Sequence, residues 1–307
     1  MPRPRSTRNC VILGATGRLG RILANNRGVF QARGIRLLYQ TRQAIPALGS
    51  EDWLVWNPGK GPDRGAAAFQ AALAPFGGAE AIINLAGVVP GQGGDLADNT
   101  RLALAALAAG RAVGARLLLL ASSAAVYGDA SGILDEETPP APQSDYGRAK
   151  LAMERAMAEA GAGGVADGIN TCCLRISNVA GADQLLQNAA RAAPNRPMRL
   201  GRFRNGLSPC RSYIGPETLA RVLATLLAAG LAGQTLPPCL NVAAPQPVFM
   251  ADLLTALAEK RPLAWEFCDA GAALPRVELD TTRLARFHRF AAADSQPGEI
   301  IRQVLAQ

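Results

Sequence analysis

The 307-residue chain has a single histidine, His288, and its six cysteines (Cys10, Cys172, Cys173, Cys210, Cys239 and Cys268) form no CxxC pair. Tetrahedral zinc needs four close Cys/His ligands, so no metal site is expected. Cysteines scattered in this way read as reduced thiols in a core. Cys172 and Cys173 fall in an apolar, strand-like run, where neighbouring side chains point to opposite faces, which favours packing over redox chemistry. Aromatic residues are scarce, at 5%, and nowhere interleave with the arginines, so the formal net charge of +8 does not resolve into a nucleic-acid-binding patch. No stretch approaches about 18 uninterrupted apolar residues, which excludes a membrane-spanning helix. The first residues, with Arg3, Arg5 and Arg8, lack the apolar stretch of a signal peptide and read as a short disordered lead-in. Neither nucleic acid nor a membrane is therefore the expected partner, and the expected location is cytoplasmic.

Apolar residues make up 49% of the chain, enough for one large core or a large domain with a smaller lobe. The first half alternates strand-like and helix-like segments at the rhythm of βαβ units. Strands are expected at 10–13, 35–39, 53–56, 81–85, 116–121 and 171–176, and helices from about 19, at 66–73, at 100–113 and at 146–160. Ser144 is placed to cap the last of these helices and Gly161 to stop it. Right-handed crossovers then dictate a doubly wound parallel sheet, an α/β Rossmann-type fold. Beyond it, helices are expected at 219–229, 251–259 and 299–305, with a short strand at 240–242. The expected division is a Rossmann domain at 1–176, to which 216–244 returns, and a small C-terminal substrate-binding lobe of 177–215 and 245–307, capping the carboxyl ends of the strands.

Three groups of residues carry chemistry. Gly14-Ala15-Thr16-Gly17-Arg18-Leu19-Gly20 lies between the first strand and the first helix. A pyrophosphate needs such a sharp turn, close backbone approach and a positive helix end. At the end of the second strand, Leu38-Tyr39-Gln40-Thr41-Arg42 lacks the carboxylate that would hold the ribose hydroxyls of NAD. Arg42 is either a partner for a 2′-phosphate or a solvated arginine at a strand end; the first reading points to NADP, with NAD the alternative. Tyr146 and Lys150 stand four apart on a helix and share a face. A cationic lysine there is expected to draw the phenol below its usual value near ~10 and make it a usable base.

Ser122-Ser123-Ala124-Ala125-Val126-Tyr127-Gly128, followed by Pro142-Gln143-Ser144-Asp145-Tyr146-Gly147-Arg148-Ala149-Lys150-Leu151, resembles the extended short-chain dehydrogenases/reductases, in particular the NAD-dependent epimerase/dehydratase branch acting on sugar nucleotides. The resemblance runs over nearly the whole chain. Gly14, Gly17 and Gly20 match the nucleotide loop, and Asn84-Leu85-Ala86-Gly87 matches the motif of the fourth strand. Leu174-Arg175-Ile176-Ser177-Asn178-Val179, Arg211-Ser212-Tyr213-Ile214 with Leu219-Ala220, and Asn241-Val242-Ala243 match later segments.

The resemblance implies that Tyr146 is the acid/base, that Lys150 tunes it and holds the nicotinamide ribose, and that Ser123 hydrogen-bonds the reacting oxygen. It implies cofactor contacts at Gly14, Thr16, Gly17, Arg18, Leu19, Gly20, Arg42, Asn57, Leu85, Ala86, Gly87, Asn99, Tyr146 and Lys150. On the side of the small-molecule substrate it implies Val89, Ser122, Ser123, Tyr146, Asn178 and Arg211. Asn178 and Arg211 also read as loop structure, and Ser123 as a strand-end cap. Residues 88–94, rich in proline and glycine, are expected to form a mobile loop beside the substrate. The acidic pair of the 4,6-dehydratases has no counterpart at Ser123-Ala124-Ala125, which disfavours dehydration. A reductase and an epimerase remain, and a homodimer through the helices at 100–113 and 146–160 is implied. A non-catalytic NAD(P)-binding redox sensor is the alternative function on the same fold.

Overall fold

The computed structural model describes residues 7–44, 50–60, 62–91, 93–130, 132–162, 168–271 and 276–307. Most of the arginine-containing lead-in, and Gln92 in the loop expected at 88–94, lie outside the described residues. The chain divides into two compact units, the first of residues 1–126, 142–175 and 220–240, the second of 127–141, 176–219 and 241–307.

Seven strands build the main sheet: β1 (Arg8–Leu13), β2 (Ile35–Thr41), β3 (Trp53–Val55), β4 (Ala81–Asn84), β5 (Leu117–Ser123), β6 (Asn170–Ile176) and β7 (Cys239–Val242). Their order is β7-β6-β5-β4-β1-β2-β3, and the sheet is parallel. Its central strands read as unbroken apolar runs because both faces are covered. On one face, α3 (Pro62–Leu73), α4 (Asp98–Ala112) and α5 (Asp145–Met157) pack Phe69, Ala106 and Met153 against Val11, Ile82, Leu118 and Leu120. On the other face Gly230, in the helix Pro216–Leu231, lets that helix approach so closely that a Cβ would sit 2.7 Å from the Leu117 side chain. The strand order reverses between β1 and β4, which places a crevice at the carboxyl ends of those strands.

The expected elements are present, with shifted ends and one added break. The first helix is two: α1 (Arg18–Asn25) stops at Asn26, whose Nδ2 donates to the Ile22 carbonyl at 2.8 Å, and α2 (Arg27–Gln31) follows. Ser144 caps α5 as expected, its Oγ accepting the Gly147 N–H at 3.0 Å. The turn after α5 widens over Ala158–Ala162, and Gly161 leaves it in the left-handed conformation (φ 74°).

The second unit holds a four-stranded sheet, ordered Val248–Phe249, Cys210–Arg211, Val277–Leu279, Gly132–Leu134. It also holds the parallel pairs Tyr213–Ile214 with Asn178–Val179 and Trp265–Asp269 with Met198–Arg202, neither of which the sequence pattern announces. Its core joins Leu185, Leu200, Tyr213, Leu253, Leu254, Leu257, Ile300 and Ile301. Asn241 is fully buried there and satisfied, accepting from Tyr127 Oη at 2.8 Å and donating to the Leu134 and Asp280 carbonyls at 2.9 and 3.1 Å. Among the described residues no helix is long and apolar enough to cross a membrane. All six cysteines are free thiols, and Cys10, Cys172, Cys173 and Cys210 are buried.

Candidate active site

The turn between β1 and α1 is shaped by steric necessity. Gly14 has φ 75°, and a Cβ on it would lie 2.7 Å from the backbone nitrogen of Ala86. Both facts exclude a side chain. Gly17 donates to the Gly14 carbonyl at 3.0 Å and then caps α1 without any side-chain hydrogen bond. The first turn of α1 contains no acidic residue. The positive end of the helix dipole is therefore not offset by a carboxylate, and a turn of this shape fits a pyrophosphate.

At the end of β2, Gln40 is buried and its amide is fully used. Its Oε1 accepts the Gly14 N–H at 2.9 Å and its Nε2 donates to the Trp56 carbonyl at 2.5 Å. A neutral strut thus joins the glycine turn to the end of β3, a role that no local sequence signal announces. Arg42 follows β2 directly and is exposed. Asn57 is also exposed, and its Oδ1 accepts the Gly59 N–H at 3.0 Å, closing the turn after β3.

Tyr146, Lys150 and Ser123 come together where α5 meets the end of β5. The helix approaches closely because Gly147 faces Ala125 and Pro142 with no room for a Cβ. Ser123 Oγ accepts the Ala125 N–H at 3.2 Å and lies beside the Tyr146 phenol, on whose titration it acts in the direction opposite to burial. Lys150 is 5% exposed, donates from Nζ to the Ala121 carbonyl at 2.8 Å, and lies 5.8 Å from the centre of the Tyr146 ring.

The electrostatics differ from the expectation that Lys150 draws the phenol down. Burial pushes Tyr146 above its ordinary value, and the Ser123 hydroxyl opposes this only in part. Burial also lowers the Lys150 ammonium from 10.5 to about 8, against the pull of the Glu154 carboxylate. The ammonium spends its short contact on a backbone carbonyl, so desolvation wins at both groups.

The segment after β4 links the two halves of this edge. Ala86 abuts Gly14, and a Cβ on Gly87 would lie 3.4 Å from Lys150 Nζ. Leu85 is tied back to β1, its N–H donating to the Leu13 carbonyl at 2.9 Å. Asn99, 1% exposed, is committed to this loop: Nδ2 donates to the Val88 and Leu96 carbonyls at 3.0 and 2.9 Å, and Oδ1 accepts the Val88 N–H at 3.3 Å. It acts on the loop that carries Gly87 and Val89.

Ser122 requires a correction. It was expected at the substrate, but its hydroxyl donates to Glu154 Oε1 at 2.5 Å and it is buried. Successive strand residues alternate faces, so Ser122 shares the face of Leu118 and Leu120, on which α5 packs. Asn178 and Arg211 belong to the second unit. There Asn178 Nδ2 donates to the Ser212 carbonyl at 3.4 Å and Arg211 Nη1 to the Cys210 carbonyl at 2.9 Å. No cluster of three or more potential metal-ligating side chains occurs among the described residues.

The glycine turn lies at the carboxyl edge of the parallel sheet, with Tyr146, Lys150 and Ser123 on the same edge. The sequence profile of the NAD-dependent epimerase/dehydratase family matches residues 10–236, and the chain belongs to that family. Solved structures with the same fold include a putative epimerase from Burkholderia cenocepacia, 24% identical, covering 99% of this chain and 100% of that one with a TM-score of 0.73. The UDP-glucose 4-epimerase from Brucella ovis, in complex with NAD, is 19% identical over 96% and 97% of the two chains, with a TM-score of 0.76. The UDP-glucose 4-epimerase of Thermus thermophilus, also with NAD, is 20% identical over 97% and 99%, with a TM-score of 0.70. A search of curated protein sequences finds no match.

Proposed function

We propose that the chain is an NAD(P)-dependent oxidoreductase or epimerase that acts on a hydroxyl or keto group of a nucleotide sugar through Tyr146, Lys150 and Ser123. The observation that carries this reading is the continuity of one edge: Gly14 abuts Ala86, Gly87 approaches Lys150, and Lys150 Nζ lies 5.8 Å from the centre of the Tyr146 ring. When bound, the nicotinamide cofactor supplies or accepts the hydride. The chain's own part is proton handling and orientation. Tyr146 gives a proton to the substrate oxygen or takes one from it, and Ser123 donates a hydrogen bond to the charge that develops there. Lys150 in its ammonium form favours the phenolate. Gly14, Thr16, Gly17, Arg18, Leu19 and Gly20 hold the pyrophosphate side; Leu85, Ala86 and Gly87 line the path to the nicotinamide. Val89, Asn178 and Arg211 are the proposed substrate contacts, and residues 177–215 with 245–307 the proposed substrate-binding lobe.

The neutral Gln40 and the exposed Arg42 favour NADP and a reductase. The family and the NAD-bound structures of like fold favour NAD and an epimerase. We take NADP as the cofactor and NAD as its alternative. A homodimer through α4 and α5, working in the cytoplasm, completes the proposal. Tyr146→Phe tests the chemistry: cofactor binding persists while turnover falls by about 10²–10⁴. Retained turnover would overturn the acid/base role.

A further inference from the structure

Glu154 and Arg175 form a buried ion pair beneath the proposed site, with side chains 10% and 7% exposed. Arg175 Nη2 donates to Oε2 at 2.8 Å, and its Nε lies 3.2 and 3.3 Å from the two carboxylate oxygens. Ser122 completes the cluster by donating to Oε1. Glu154 is four residues beyond Lys150 and eight beyond Tyr146, so all three share a face of α5. Its carboxylate consequently ties α5 to two strands, to β5 through Ser122 and to β6 through Arg175. Ser122 lies between Ala121, whose carbonyl holds Lys150, and Ser123.

Stability alone does not explain the pair, because apolar residues of similar volume usually serve a core as well or better. Its position beside Lys150 suggests another role. On its own helix Lys150 is faced by Tyr146 and Glu154, from β5 by the Ala121 carbonyl, and from β6 by Cys173. The neutral Asn99 lies on the side of α4. Burial pushes the Cys173 thiol far up, so it carries no charge near neutrality. The carboxylate of Glu154 is the anion left in that surrounding.

We propose that Glu154 is a positioning residue: it anchors the end of β5 that carries Ser123 and keeps Lys150 in its ammonium form. The inference rests on the roles proposed for Tyr146 and Lys150, but its test needs no turnover. The chain contains three lysines, Lys60, Lys150 and Lys260, so lysine-selective side-chain NMR of the full chain yields three titration curves. Lys60→Arg and Lys260→Arg assign them.

The Lys150 curve is compared in the parent protein, in Glu154→Gln, and in Glu154→Gln/Arg175→Met. The double variant leaves no uncompensated arginine and covers the case in which the single variant fails to fold. The expected result is a lower midpoint in Glu154→Gln, with the neutral fraction of Lys150 at pH 7 raised about 3–10-fold, since one pH unit is tenfold, and a smaller fall in the double variant, which loses the opposing arginine charge as well. Ser122→Ala retains the carboxylate and leaves the midpoint in place. An unmoved midpoint in the Glu154 variants would overturn the inference, as would an equal fall in Ser122→Ala. A Tyr146→Phe protein that kept its turnover would refute the catalytic reading and leave this titration standing, so the two failures are distinguishable.

Discussion

Replacing Lys150 by methionine should stabilise the protein at neutral pH and do so less in alkali. The ammonium is 5% exposed, and burial takes it from 10.5 to about 8. A lysine whose value falls on folding releases its proton first in the folded state. The cost of the buried charge is then fully present below pH 8 and is relieved as the pH climbs towards 10.5. The displacement corresponds to about 3 kcal/mol of cost at pH 7 and about 1.5 kcal/mol at pH 9.5. Methionine fills a similar volume without the charge but leaves the Ala121 carbonyl unpaired, which subtracts about 1–2 kcal/mol at either pH. That subtraction cancels in the comparison, as do the tyrosine and cysteine titrations common to both proteins. Urea unfolding of the two proteins at pH 7 and pH 9.5 should show the methionine variant's relative stability falling by about 2 kcal/mol between the two conditions. A relative stability independent of pH would refute the desolvation of Lys150. A lysine kept at such a cost fits a site selected for chemistry rather than stability.

The glycine cradle and the buried ion pair yield further outcomes. Gly14→Ala forces a side chain onto a residue at φ 75° and against Ala86, so nicotinamide-nucleotide affinity should fall at least about tenfold in a fluorescence titration. Unchanged affinity would exclude this turn as the pyrophosphate site. Arg175→Met leaves the Glu154 carboxylate buried and unpaired, and should cost about 3–5 kcal/mol in chemical denaturation. Glu154→Met/Arg175→Met should recover most of that loss, and equal costs for the single and double variants would contradict the account of the pair.

The parallel sheet was legible because Ala81–Ile83 and Leu117–Leu120 are continuous apolar runs, as strands covered on both faces must be. The glycine turn and the Ser144 cap were legible because their spacing is local. The strand pair Met198–Arg202 with Trp265–Asp269 was not: its partners lie more than sixty residues apart, and its exposed arginines break the apolar alternation. The role of Gln40 has no local signal, because its amide works between three strand ends that only folding brings together. Ser122 was misplaced although a signal existed. Counting by twos from Leu118 and Leu120 puts it on the α5 face, within reach of Glu154. Glu154 stands at a readable spacing from Tyr146 and Lys150, but its partner Arg175 is on another strand and carries no local mark.

The central claim is that one edge of the sheet holds a nicotinamide dinucleotide against Tyr146. Fluorescence titration of the purified protein with NADPH and NADH, together with mass analysis of any co-purified nucleotide, tests it most directly. The account predicts saturable, exchangeable binding with NADPH the tighter ligand. Tightly retained NAD would reverse the assignment drawn from Arg42 and point to an epimerase, and no binding of either nucleotide would contradict the claim itself.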